Sequence, residues 1–495
     1  MLKKFLNIAL LGVLAASCTE DVMDRINRDD HNPPVDLVDA KFQITDAAVG
    51  TAYSTWGGQY AWSVSSYTEQ TFGTGNNQAM KTELRNRAET AASTSFNNEW
   101  NATYGNLMNI RQMIDKCGEG NINAGQKDIL GMAQVLWVLN VEALTDLHGD
   151  IPYSEAVKGL DMLTPKLDKQ EDIYADLFTT IGNAIANLGE AVSEDMNHAG
   201  AQDLLYGGDP AKWLGLAHAV KARLLLNTYF RNSAVLTQVL DAANAAVAAG
   251  FNGAELGIFN GVDCDNSWAA YFWSRYYTGS NGTVVDLMDE RDDPRVDVYA
   301  IDYFGTGIAY APAGDATAAG YTEAVGCPTW LDNGAATIHL FSKSELYFIL
   351  AEVKARLGQD ATADFTTAVE ASFEDYATAD PGYIGLDPSL ASDYIDGLGT
   401  VDLAEIMVQK YLAQTRDEQI QTYNDLRRCK ALGEEFIHLN NPNNTAGGQN
   451  QWPLRLPYGN SDVISNPHVA EAFGSGNTAG NYLFTENVWL FGGTR

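Results

Sequence analysis

The chain is 495 residues long, 45% hydrophobic and 19% charged, with a formal net charge of −33. That balance suits a globular protein with a large core and excludes a disordered chain. It also argues against nucleic acid as a partner, because phosphate backbones require a basic face, and against a flat basic contact with an anionic membrane.

Residues 1–17, MLKKFLNIALLGVLAAS, join two lysines to an apolar run too short to span a bilayer, which reads as a secretory signal peptide. Small residues run directly up to Cys18, so Cys18 is expected to become the acylated first residue of the mature chain. Several acyl chains suffice for stable anchoring. Residues 18–39, containing DRINRDDHNPP, are expected to form a polar, flexible tether to a domain over 40–495.

A first helix is expected over 41–55. Thr55–Gln78 then mixes Trp56, Tyr60, Trp62, Tyr67 and Phe72 with Gly, Ser, Thr and Asn, and no single period fits it. From Asn97, an amphipathic helix carries Trp100, Tyr104, Leu107, Ile110 and Ile114 on one stripe. Gln126–Leu147 follows, apolar on more than one side, as a helix buried between neighbours must be. Gly149 and Pro152 stop it, and His148 at its end is expected to cap it, with its charge favoured there when protonated.

Further helices are expected over 166–188, over 210–230 with Asp209 as N-cap and Pro210 in first position, and over 233–249. Residues 250–341 change texture: Gly, Pro, Asn and Asp are dense and aromatic residues frequent, as in a loop-rich insertion. Helices resume over 342–358, opened by the Ser342/Glu345 capping box, and over 361–377, 402–414 and 416–430. The last stretch, 431–495, is rich in Gly, Asn and Pro and is expected to be irregular. The expected fold is mostly α: four tetratricopeptide-like helix pairs forming a right-handed stack over 97–249 and 342–430, with a loop-rich ligand-binding part.

Several stretches resemble one family in chain order. They are the central helix followed by GDIPYSEA, Asp293-Pro294-Arg295, TYNDLRRCKAL (Thr422–Leu432), WPLRLPYGNSDVISNP (Trp452–Pro467) and ENVWLF (Glu486–Phe491). Tyr423 stands where tryptophan is usual, and Asp462 where glutamate is commoner. Together they resemble the SusD-like (SusD/RagB) nutrient-binding outer-membrane lipoproteins of Bacteroidetes. The resemblance implies a lipid-anchored protein on the outer membrane, facing the cell exterior. It implies a non-enzymatic protein that captures a nutrient, commonly an oligosaccharide, and hands it to a SusC-like TonB-dependent transporter.

A neutral sugar stacks its C–H faces on aromatic rings and pairs its hydroxyls with short polar side chains. Two clusters suit that chemistry. One is Trp56, Tyr60, Trp62 and Tyr67, followed by Asn76, Asn77 and Gln78; the other is Trp268, Tyr271, Trp273, Arg275 and Tyr276, preceded by Asp263, Asp265 and Asn266. Many such rings are expected in the core instead. No cofactor is expected. The acidic runs at 263–266 and 289–293 offer oxygen ligands for Ca²⁺ but lack EF-hand spacing, and read better as solvated surface. The scattered cysteines make no zinc motif and are expected to be free thiols. A surface glycoside hydrolase and an adhesin-type protein binder are the alternatives, although no hydrolase or phosphate-binding motif is present.

Overall fold

The computed structural model describes residues 37–75, 78–86, 95–318, 320–321, 325–476 and 479–495. The signal peptide, Cys18, most of the tether, Asn76 and Asn77 lie outside the described residues.

In chain order, α1 (Lys41–Val49) continues as a π-helical stretch, Gly50–Trp56, and is followed by α2 (Gln59–Tyr67), strand β1 (Phe72–Gly73) and the short α3 (Gln78–Glu83). The first half of the scaffold is α4 (Asn97–Lys116), α5 (Lys127–His148), α6 (Gln170–Ser193), α7 (Pro210–Asn227) and α8 (Leu236–Ala248), with β2 (Ile151–Pro152) and β3 (Leu167–Asp168) between α5 and α6. The insertion holds β4 (Ala254–Leu256), α9 (Ser267–Arg275), β5 (Thr278–Gly279), α10 (Gly282–Asp289), α11 (Val296–Tyr299) and β6 (Ile338–Phe341). The second half is α12 (Lys343–Arg356), α13 (Thr362–Ala379), α14 (Leu390–Gly397), α15 (Leu403–Ala413) and α16 (Gln419–Leu432). Two short helices, α17 (Asn460–Ser465) and α18 (Pro467–Phe473), punctuate the irregular end.

The fold is mostly α, and neighbouring helices pack in sequence: α4 on α5, α5 on α6, α6 on α7, α7 on α8. The stack then crosses the insertion through α8 on α12, and α12 packs on α13 and α15. In the last pair, α15 lies along α12 while α16 lies against α2. Central to all this is α5. Among the described residues it is the one helix long and apolar enough to cross a membrane, but it is buried inside the protein. Its Gly131 lets α6 approach closely, since a Cβ there would stand 2.5 Å from Leu188 Cγ. Gly149 ends it at φ 79°, its N–H donating to the Thr145 carbonyl at 2.7 Å.

His148 does something other than the expected charged capping. It is fully buried, bonded to the Tyr60 hydroxyl at 3.1 Å and to the Leu456 carbonyl at 3.3 Å. Burial pulls its pKa down to about 3, so the ring is neutral. Desolvation outweighs the helix-end field because no water reaches the site.

The stack encloses charge as well as apolar side chains. Arg223 on α7 is fully buried, bidentate to Glu142 of α5 at 2.9 and 2.8 Å and 3.3 Å from Glu345 of α12. Its guanidinium lies between the rings of Trp56 and Phe341, at 4.4 and 4.7 Å. Three small antiparallel ladders tie the rest down: β1 with β5, β2 with β3, and β4 with β6. The β1–β5 ladder fixes the α2–α3 segment to the insertion through Phe72↔Gly279 and Gly73↔Thr278, which brings the two aromatic-rich stretches of the sequence side by side. A second hydrophobic core, with Trp268, Phe272, Trp330 and Tyr376, lies beneath the insertion, α13 and α15. Cys264, Cys327 and Cys429 are free thiols.

Candidate functional site

The two predicted aromatic clusters meet at Trp62, which sits edge-on to Trp268 and against Tyr271. Trp62 of α2 and Tyr271 of α9 stack face to face, with ring centroids 4.1 Å apart and planes 12° from parallel. Their elements leave little choice. Asn266 caps α9, its Oδ1 accepting from the Ala269 N–H at 2.9 Å while its Nδ2 donates to the Asn333 carbonyl at 2.6 Å. Ser267 then donates to the Gly57 carbonyl at 2.6 Å, joining the start of α9 to the start of α2. The β1–β5 ladder holds the far ends, so both helices are fixed along their length.

The stacked pair forms one wall of a cavity of about 340 Å³. Gln59, Ser63 and Ser66 of α2, Gln78 and Thr82 of α3, Thr278 and Asn98 supply uncharged polar groups around it. Gln59 Nε2 donates to Gln78 Oε1 at 3.0 Å across the rim. Glu99, in the first turn of α4, is the one charged side chain among the described lining residues. Burial pushes its carboxyl up to about 6, against the pull of the Gln59 N–H and its own N–H. Two polar atoms of the wall, Glu99 Oε2 and Trp62 Nε1, have no hydrogen-bond partner among the described residues.

A second aromatic patch lies on the other side of α9, gathered around Asp332. Its carboxylate accepts from Trp273 Nε1, from the Tyr303 hydroxyl at 3.0 Å and from the Tyr383 hydroxyl. Tyr276, 41% exposed and in the left-handed region at φ 55°, sets its ring edge-on to Phe272 and Phe304. Arg275 is exposed and donates to the neighbouring Ser274 carbonyl at 2.9 Å.

The remaining predicted residues fall elsewhere. Trp56 is buried beneath Arg223, its Nε1 donating to the Leu139 carbonyl at 3.2 Å, and Tyr60 is buried against His148. Trp268 is 5% exposed in the second core, and Tyr67 is covered by Arg85 at 5.3 Å. Asn266 spends its amide on the α9 cap, while Asp265 keeps one buried oxygen, Oδ1, without a partner. Of the acids in the 289–293 run, Asp293 is committed to Arg295, and Arg291 beside it pairs with Glu405. Gln78 belongs to the polar run beside the first predicted cluster, whereas Glu99, Asp332, Tyr383 and Gln59 escape sequence reasoning. No motif marks them, because each acquires its role only when distant segments meet.

A larger cavity, about 500 Å³, lies between α15, α16 and residues 433–452. Its lining mixes apolar side chains such as Met407, Leu426, Ile437 and Trp452 with many polar and charged ones, and Lys410 at its floor is already paired, with Asp425 at 2.7 Å and with Glu352 at 3.3 Å. Among the described residues five charged side chains line it, Lys410, Asp425, Lys430, Glu434 and Glu435, against Glu99 alone in the smaller cleft, whose stacked rings and mainly uncharged polar rim suit a neutral polyhydroxylated ligand better.

The family model described as "Starch-binding associating with outer membrane" matches residues 37–459. The chain belongs to the SusD-like family. A SusD/RagB family protein from Bacteroides thetaiotaomicron is 32% identical, with 92% of this chain and 100% of that one covered at a TM-score of 0.81. A SusD homologue from Bacteroides fragilis, 17% identical, superposes over 92% of this chain and 100% of its own at 0.71. A chitin-binding SusD homologue from Flavobacterium johnsoniae, 18% identical, does so over 91% and 98% at 0.67. No curated protein is a match.

In this SusD-like chain the motifs that carry the resemblance build the scaffold. Arg295 of Asp293-Pro294-Arg295 is buried, chelated by Asp293 and bonded to Ser372 at 2.7 Å and Gln409 at 2.6 Å. In TYNDLRRCKAL, Arg428 pairs with Glu352 and Asp425, and Arg427 donates to the Asp146 carbonyl at 2.9 Å. In the C-terminal segment, Arg455 donates to the His148 carbonyl and Tyr458 to the Asp150 carbonyl at 2.9 Å. Each ties a late segment to an early one.

Proposed function

We propose that this SusD-like protein captures a neutral oligosaccharide at the cell surface and passes it, without cleaving it, to a SusC-like TonB-dependent outer-membrane transporter. It is held on the outer membrane, facing outward, by acyl chains on Cys18. No metal or other cofactor takes part. The observation that carries this reading is the Trp62–Tyr271 stack at a cleft rimmed by amides and hydroxyls. Such a cleft offers ring faces for sugar C–H groups and both donors and acceptors for hydroxyls. Family membership supports it, as does the chitin-binding relative of the same fold. The Trp273–Tyr276 patch around Asp332 extends the aromatic surface for further sugar units.

The test is calorimetry of residues 40–495 with starch-, chitin- and xylan-derived oligosaccharides, with chromatography of the glycans afterwards. Saturable binding with the glycans intact is the expected result. Failure to bind any glycan, or appearance of shorter products, overturns the reading. In the full chain, Cys18→Ala should move the protein from the membrane fraction to the soluble one and abolish fatty-acid labelling. Continued labelling would refute the anchor.

A further inference from the structure

Two features of the cleft bear on which glycans can enter. The first is its charge. Among the described lining residues none is Lys or Arg, and Glu99 is the sole ion. The second is where Glu99 sits. It occupies the first turn of α4, and Gln59, the first residue of α2, lines the same cavity. Two helix N-termini therefore open on the cleft, each with a partial positive charge. Such a place is the natural seat for a ligand's carboxylate or sulfate. Here the protein's own carboxylate already holds it.

Building on the glycan-binding reading, we infer that Glu99 is a specificity-determining residue that turns acidic glycans away from the Trp62–Tyr271 cleft, restricting it to glycans without carboxylate or sulfate groups. A uronate or sulfate reaching the cleft would meet a carboxylate instead of a vacant pair of helix ends. For two like charges about 5 Å apart at an effective dielectric of about 20, the repulsion corresponds to roughly two- to three-hundredfold in affinity before salt screening, which lowers it toward about a hundredfold.

The net charge of −33 would by itself discourage polyanions, so the local and global effects have to be separated. Salt does this. The field of the whole protein is screened within about 8 Å at physiological ionic strength, whereas a contact inside a half-buried cleft is screened far less.

The experiment compares two ligands on the same protein at 0.5 M NaCl: the neutral oligosaccharide selected by calorimetry, and its acidic counterpart, with C6 hydroxyls oxidised to carboxylates or, for a pentose-based glycan, with uronic acid substituents. The wild type is expected to prefer the neutral form by about a hundredfold, and Glu99→Gln to bring the ratio of the two Kd values to within about fivefold. Asn98→Lys, at an exposed position of the rim, should narrow the ratio without touching a buried group. Equal binding of the two ligands by the wild type, or a ratio unchanged in both variants, would overturn the inference and leave the glycan reading standing. Absence of binding to any neutral glycan would remove both.

Discussion

Removing the indole of Trp62 separates ligand binding from fold maintenance, because its neighbour Trp268 provides a matched control. Trp62 is half-buried, stacked on Tyr271 with ring centroids 4.1 Å apart, and edge-on to Trp268 with centroids 6.3 Å apart. Trp268 is 5% exposed and packs into the second core. Trp62→Ala deletes one half of the aromatic platform, and a truncated aromatic anchor at a binding site is worth about 2 kcal/mol, roughly 30-fold in Kd. Loss of the stacked pair and of partial burial should cost about 2 kcal/mol of stability as well. Trp268→Ala opens a full core cavity and should cost about 3–5 kcal/mol of stability, with affinity for glycan falling only as far as the folded population falls. Calorimetry with a bound glycan and urea denaturation on both variants distinguish the two. If Trp62→Ala folds normally and binds as tightly as wild type, the platform is decoration. If Trp268→Ala weakens binding with stability intact, the ligand lies on the other side of α9.

Two further outcomes concern the buried charges. His148 resists protonation until about pH 3 when folded but takes up a proton near 6.5 when unfolded, so its contribution to stability is present above pH 6.5 and lost as pH falls from there toward 3. Because carboxyls such as Asp146, raised to about 7, act with opposite sign, the readout is the difference between wild type and His148→Asn: the variant's stability should fall less steeply over that window, and equal slopes would refute the neutral buried ring. Arg223→Met strands Glu142 and Glu345 without their partner and should cost about 3–5 kcal/mol in urea denaturation; adding Glu142→Gln and Glu345→Gln should recover much of it, and an undiminished loss would show that packing of Arg223 between Trp56 and Phe341 matters more than its charge.

The scaffold was legible because its signals are local. Apolar spacing of three and four over Gln126–Leu147 requires burial on several sides, and α5 is buried so. The site was legible only as two pools of aromatic residues, and sorting them needed helix phase. Tyr60 and Trp62, two residues apart on α2, point about 200° apart around the helix, so one faces the core whenever the other does not. Which one goes inward depends on where α2 begins. That start comes after a π-helical stretch, Gly50–Trp56, whose wider turn resets the phase in a way that apolar spacing does not reveal. The same rule sorts α9: Trp268 and Phe272, four apart, share the buried face, which leaves Tyr271 for Trp62 and Trp273 for Asp332.

The phase of α2 also accounts for how firmly the site is held. One face of this helix is fastened to α5 and the C-terminal segment, through Tyr60 to His148 and from His148 to the Leu456 carbonyl. Its C-terminal end is fastened again where Trp452 Nε1 donates to the Tyr67 carbonyl at 2.8 Å. The opposite face presents Trp62. A ring that stacks on a sugar gains most when its orientation is set before the ligand arrives, since ordering a free side chain on binding costs about 0.5–1.5 kcal/mol. The buried polar contacts behind α2 therefore serve affinity at a distance, holding the indole in place from the far side of its own helix. This explains why motifs such as WPLRLPY can belong to the scaffold and still matter to the ligand: Trp452 directly, and Leu456 through His148 and Tyr60, position the helix, and the helix positions Trp62.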